Sequence, residues 1–304
     1  MDGLADIENQ AGICRITCGW RKPALKLDAV RRYWRDVHSP AIARRAGIYD
    51  YRHFQFAPVM PDLLPAVPGI GLTAPDDAQL QWLSDVRYRD EAALALFGTS
   101  PDGEAKTLLL QDIEKIVEQS TTYKSTGDDA RTLLDTTVAA PQGPPSLPRY
   151  GLFFRSRTGE AELRDVLRRL AARWARLDGV RRVRLSLLDA PDMEAEKRGG
   201  YPIKTHPVER QYQAWIDLVL DDAVVGATLL DPADPERLAA SVAEIHCYPV
   251  DVSYCFNYDG RPTLVGLRGY PAWEAIEGID AGHAKGLALL RFMYGDHAQE
   301  GLQA

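Results

Sequence analysis

The stretch Leu27–Phe56, LDAVRRYWRDVHSPAIARRAGIYDYRHFQF, decides the reading of the fold. In its first part Leu27, Val30, Trp34, Val37, His38 and Ala41 recur at three and four. That is the spacing of one helical stripe, and it predicts a helix over Leu27–Arg45 with His38 on the inward side. Ser39-Pro40 offers an N-cap and a first-position proline, so the helix is expected to restart just after the histidine. From Ile48 to Phe56 the period changes to two. Tyr49, Tyr51, His53 and Gln55 share one face of this strand, with Asp50, Arg52, Phe54 and Phe56 on the other. Two phenols, an imidazole and an amide are costly to bury against apolar side chains, whereas they suit a wet, ligand-sized cavity. The alternative is plain exposure to solvent.

Outward from this stretch the chain reads as two halves on one plan, divided at the proline-rich AAPQGPPSLPR, Ala139 to Arg149. Before it come a strand at Ile13–Arg21, the helix and strand just described, a strand near Gln79–Tyr88, helical stretches, and a short strand near Ser120–Lys124. After it, RYGLFFRSR is a strand. The helix that follows has Thr158 as candidate N-cap and Gly179 as candidate stop. Then come the strands VRRVRLSLL and QYQAWIDLVLDD, a helix DPERLAASVAEIH, and a last strand YPVDVSYCFNY. Each half is therefore β-α-β-β-α-β, the ferredoxin-like order. The expected fold is α+β, with one such domain in residues 1–138, a linker over 139–149, and a second in 150–304 with a C-terminal extension. Such a unit leaves one sheet face bare, and two copies in one chain cover it by packing sheet to sheet into a barrel.

In the last strand, Asp251, Ser253, Cys255 and Asn257 share a face. If that face points between the sheets, Asp251 and Asn257 line an internal cavity; otherwise it is the wet face of an edge strand.

The quoted stretch also resembles the opening of EthD-type domains of the dimeric α+β barrel superfamily: a helix with Tyr-Trp, then His followed by Pro, and a glycine leading into a Tyr-bearing strand. VRYRDEAALALFGTSPDGEAKTLLLQDIEKIVEQSTTY is similar to the family's third strand, short helix, Ser-Pro turn and acidic helix. The resemblance covers about Ile13 to Lys124. The second half keeps the plan without the motif, since its first helix ends RRLAARWARLDG with no histidine, and it reads as a diverged copy. The resemblance implies a barrel formed within the chain, small-molecule chemistry and, in some superfamily members, haem.

The candidate catalytic residues are His38, His53 and Tyr51. A histidine exchanges a proton near neutrality, which suits acid–base work; the competing reading of His38 is a buried neutral histidine bonded to a carbonyl. Candidate substrate contacts are Tyr49, Gln55, Trp34, Trp82, His206, Asp251 and Asn257. Tyr51, His53 and Gln55 are expected to look into the barrel, and Trp82 is a pocket wall or core. His206 sits in GGYPIKTHPVERQY, a loop able to cover the barrel mouth, with the Pro-rich Ala57–Gly71 as its counterpart in the first half. His246 is expected to end a helix, where a cation favours the dipole. Asp36, two residues from His38, points away from it.

The net charge of -7 provides no basic face for phosphates, so neither nucleic acid nor a membrane surface is an expected partner. Arg181, Arg182 and Arg184 read as a solvated strand face. Cys14 and Cys18 share a strand face with Ile16 and Trp20, which reads as core, and the four cysteines are expected to be reduced thiols. With no signal or membrane-spanning pattern, a cytoplasmic location is the default. Phosphate-loop, HExxH, zinc-ligand and Gly-x-Ser-x-Gly patterns are all missing.

The leading expectation is a cofactor-independent enzyme of isomerase, dehydratase or lyase type, using histidine acid–base catalysis on a hydrophobic, aromatic or polyketide-like substrate in the barrel. No metal and no cofactor is expected, haem being left open, and a homodimer is possible. The alternatives are an oxidoreductase, cofactor-free or haem-dependent, and a non-catalytic binding protein.

Overall fold

The computed structural model describes residues 3–157, 160–192, 205–230 and 234–295; the candidate cap Thr158 and part of the loop bearing His206 lie outside them. A short helix α1 (Gly3–Asn9) precedes the first half. That half runs β1 (Ile13–Arg21), α2 (Leu27–Tyr33), a π turn (Trp34–His38), α3 (Ser39–Ala43), β2 (Asp50–Phe56), β3 (Trp82–Tyr88), α4 (Glu91–Thr99), α5 (Gly103–Ile116) and β4 (Val117–Thr126). The second runs β7 (Arg149–Ser156), α6 (Glu160–Trp174), β8 (Val180–Leu187), β9 (Ala214–Leu220), α7 (Asp234–Ser241) and β10 (Val242–Tyr258).

With β5 at Ala130–Asp135, the strand order is β4-β1-β3-β2-β10-β7-β9-β8-β5. Each half shows the ferredoxin-like order, antiparallel throughout, and the halves meet edge to edge. β10 is long enough to serve both: Val242–Pro249 pairs with β7, and Val250–Asn257 pairs with β2. At the other seam the chain leaves β4, turns at Gly127–Asp129 and forms β5 (Ala130–Asp135), which pairs with β8. The sheet curls into an α+β barrel within one chain.

Four details differ from the sequence reading. β5 and α1 are additional. The proline-rich link carries a further short strand, β6 (Gln142–Gly143), against β10. The expected helix DPERLAASVAEIH stops at Ser241, so His246 is a buried strand residue bonded to the Tyr212 hydroxyl at 2.9 Å and no helix cap. The sequence misled because Val242 and Ile245 have helical spacing; a β-bulge between Val242 and Glu244 puts both into the same core. Ala57–Gly71 is no lid. Leu63, Leu64, Val67 and Ile70 are buried in the core beneath α6, and Gly71 bridges to Glu244.

Among the described residues the barrel interior holds an aromatic core and a charged network. Toward one end Phe54 packs edge-on to Trp215 at 5.5 Å and Phe56 to Phe153 at 5.8 Å, joining the two halves. Cys14, Cys18, Ile16 and Trp20 belong to this aromatic core, and the four thiols are free and buried. Toward the other end lie five arginines, Arg52, Arg87, Arg149, Arg182 and Arg184, with five carboxylates, Glu8, Asp50, Asp85, Asp135 and Asp217. Arg182 and Arg184 are thus fully buried rather than solvated; Arg181 alone of that run is exposed, against Asp221. Burying charges is tolerable here because each has an opposite partner. Burial works against the charge on Glu8, but four arginines outweigh it and hold the carboxyl well below the usual range.

Candidate functional site

Pro40 shapes the site. Inside a helix it has no N–H for the carbonyl four residues back and its ring crowds that turn. The helix widens instead into the π turn Trp34–His38, where the Ser39 N–H reaches back to the Trp34 carbonyl. The expected restart is therefore a bulge in a continuous helix. Ser39 caps nothing, and its Oγ lies 2.8 Å from the Tyr51 hydroxyl. Trp34 and His38 both turn inward, buried, with ring centroids 4.4 Å apart.

His38 Nδ1 lies 2.7 Å from Oδ2 of Asp112 on α5, and the Tyr33 hydroxyl donates to the other carboxylate oxygen. Burial opposes the charge on Asp112, but the hydrogen bonds from His38 and Tyr33 outweigh it and hold the carboxyl below its usual range. The same contact pushes the Tyr33 phenol up to about 12. An ionised Asp112 can only accept, so Nδ1 carries the proton and the lone pair of a neutral His38 sits on Nε2. A carboxylate orienting one imidazole nitrogen leaves the other able to act as a base. Asp36 does turn away, paired with Arg35 at 2.6 Å.

A cavity of about 110 Å³ lies between these helices and the outward face of the first sheet. Trp34, His38, Tyr51, Trp82, Ser84 and Phe97 form much of its wall, with Arg15, Thr17, Ser120 and Thr122 from β1 and β4. Trp82 is thus a pocket wall, 5.0 Å from Trp34 between ring centroids.

The cavity is not between the sheets. Tyr51, His53 and Gln55 share a face as expected, but it looks outward, under the helices, and the expectation that they look into the barrel is corrected. The reason is Arg52 and Phe54 on the opposite face, which meet Glu8 and Trp215 inside the barrel. Among the candidates, Trp34, His38, Tyr51 and Trp82 come together in the cavity wall.

His53 lies behind them, fully buried, its Nδ1 3.2 Å from the Ser84 hydroxyl and its ring stacked 5.8 Å from Trp34. Burial, then the charges of His38 and Arg31, push its imidazole down to about 3, so it stays neutral. Gln55 donates to the Arg31 carbonyl, and Tyr49 to the Ile7 carbonyl at 3.0 Å; both are outside the wall.

The remaining candidates fall elsewhere. His206 is buried at the aromatic end of the barrel, its ring 3.8 Å from that of Trp20. Asp251 and Asn257 do not line the barrel: bulges on either side of the intervening strand re-aim them. Asp251 pairs with Arg31 at 2.9 Å, and Asn257 donates to the Ala43 carbonyl at 3.0 Å.

Asp112, Tyr33 and Arg15 were missed. Asp112 left a signal: with Leu109, Ile113 and Ile116 it falls on one stripe of α5, an acid where apolar residues are expected. Among the described residues no group of three or more His, Cys, Asp or Glu is arranged to hold a metal, and no helix is long and apolar enough to cross a membrane.

No protein-family model and no curated protein matches the chain. Among solved structures it is similar to a protein provisionally described as a monooxygenase from Fusobacterium nucleatum, at 12% identity, TM-score 0.44, covering 83% of this chain and 97% of that one. It is also similar to a protein so described from Lactobacillus acidophilus, at 9% identity, TM-score 0.42, covering 80% and 94%. An anthrone oxidase-like protein matches at 12% identity, TM-score 0.47, covering 81% and 93%. Likeness at this level does not carry chemistry from one protein to another.

Proposed function

We propose that this protein is a cofactor-independent enzyme in which His38 removes a proton from a hydrophobic, aromatic or polyketide-like small molecule. The supporting observation is the His38–Asp112 pair at the wall of an aromatic-lined cavity. Asp112 fixes the tautomer and stabilises the imidazolium formed when Nε2 accepts the proton. Trp34 and Trp82 offer flat faces for a ring and keep the base away from bulk water. Return of the proton at another atom gives isomerisation; loss of a leaving group from the carbanion gives a dehydratase or lyase. An oxygenase reading shares the first step and differs in consuming oxygen.

The test is deuterium exchange at the acidic C1–H of 2-tetralone, a bicyclic aromatic ketone, followed by NMR in deuterium oxide with oxygen uptake recorded in parallel. Wild type is expected to accelerate exchange and His38→Gln to abolish the acceleration. Binding without acceleration would identify a carrier protein and overturn the proposal. Acceleration surviving in His38→Gln would overturn the role of His38. A Soret band in the purified protein that is lost in His38→Gln would make His38 a haem ligand instead and overturn the proposal.

A further inference from the structure

The cavity has an uneven charge inventory. Its wall contains two arginines, Arg15 and Arg45, and no carboxylate. Arg45 is committed: its guanidinium donates to the Ser100 and Phe97 carbonyls and lies over the Phe97 ring, 3.4 Å from the centroid. Arg15 is different. It stands half-buried on β1, and among the described residues its guanidinium makes no hydrogen bond or ion pair. The five arginines inside the barrel all meet carboxylates, so an arginine facing a carboxylate-free cavity is a departure from how this chain handles buried guanidinium.

Its neighbours do not neutralise it. Across the strands Arg15 faces Val86 on β3 and Lys124 on β4, and the Lys124 ammonium is held by Glu91 at 2.7 Å. One pleat along, the Thr17 and Thr122 hydroxyls meet at 3.0 Å on the same wall, one donating to the other, so that the surface beside the guanidinium is polar. A planar fork of N–H donors next to hydroxyls, opening on an aromatic-walled space, matches an anionic oxygen carried on a ring. Low polarity around it strengthens the pairing.

We propose that Arg15 is a specificity residue that binds an anionic oxygen of the substrate, so that the ligand class is aromatic acids, as carboxylate or ionised phenol. The inference rests on the cavity being the substrate site of the function proposed above, and it narrows the substrate from hydrophobic to amphipathic. The ring lies against Trp34 and Trp82, and the anion is held on the β1–β4 side. The protein's net charge of -7 works against anions in general, so any preference for one reports a local site.

Calorimetric titration with 2-naphthoate and its neutral isostere 2-naphthamide tests this without turnover. Wild type is expected to bind the carboxylate about tenfold or more tightly, the range of one charge-assisted pair. Arg15→Gln should bring the two within about twofold, chiefly by weakening the naphthoate complex, and Arg15→Lys should retain part of the preference. Equal affinity in wild type, binding of neither probe, or a preference that survives Arg15→Gln overturns the proposal. Failure of the two proposals is separable. If His38→Gln leaves proton exchange intact, the dyad falls and the Arg15 preference stands; if the preference is missing, exchange still tests the dyad.

Discussion

The two halves share one topology and differ in what fills the space between helices and sheet. In the second half that layer is solid: Leu163, Leu167, Leu170, Ala171 and Trp174 of α6 pack on Leu152, Phe154, Leu185, Ile216 and Leu218 of the sheet. Trp174 closes it, bonding the Leu229 carbonyl at 2.7 Å. In the first half the corresponding layer is divided. Ile13, Ile42, Tyr51 and Phe97 form one cluster, Val30, Trp34, Trp82 and Ile116 another, and the cavity with His38 opens between them. The ferredoxin-like frame therefore does not create a site by itself. A π turn at a proline and an acid on the buried stripe of α5 convert a core layer into a candidate site.

If the halves have divided their work in this way, substitutions should separate stability from activity. The largest effect expected is on rate: His38→Gln should lower turnover by about 10²–10⁴-fold while shifting the urea midpoint little. Trp174→Ala should do the reverse. Emptying a fully packed site should cost about 3–5 kcal/mol of unfolding free energy, with proton exchange per folded molecule unchanged. A variant at Trp174 that spared stability but altered exchange would break the comparison.

A smaller effect comes from acid. His53 is neutral when folded, with its imidazole pushed down to about 3, and would have an ordinary value near 6.5 when unfolded. Between those values the unfolded chain binds more protons, so stability falls as pH drops from about 6.5 toward 3. At pH 5 this amounts to about 2 kcal/mol. The difference in urea stability between pH 7 and pH 5 should shrink by about that amount in His53→Gln. An unchanged difference would mean that His53 is not the buried neutral group described. The smallest effect is expected from Tyr33→Phe. Removing one donor to Asp112 should slow turnover a fewfold, on the order of 1 kcal/mol, as read from steady-state proton exchange.

Much of the frame was legible. The switch from helical to alternating spacing within Leu27–Phe56, repeated after the proline-rich link, gave the order of elements and the inward turn of His38. It also grouped Tyr51, His53 and Gln55 on one face. Errors came where one residue changes a phase. Bulges beside Val242, Asp251 and Asn257 shift side chains between faces with no change in composition, so Val242 and Ile245 imitate a helix and Asp251 imitates a cavity lining.

The sequence alone determined which residues share a face, because periodicity is local and set by backbone geometry. Which side of the sheet faces the partner half was decided only by tertiary structure. The arginines and carboxylates of the barrel interior lie far apart in the chain, Arg182 and Glu8 by 174 residues, and become buriable only when each finds its opposite charge. His38 and Asp112, 74 residues apart, meet for the same reason: a long-range pair has no period to read, and its stabilisation exists only once both elements have packed.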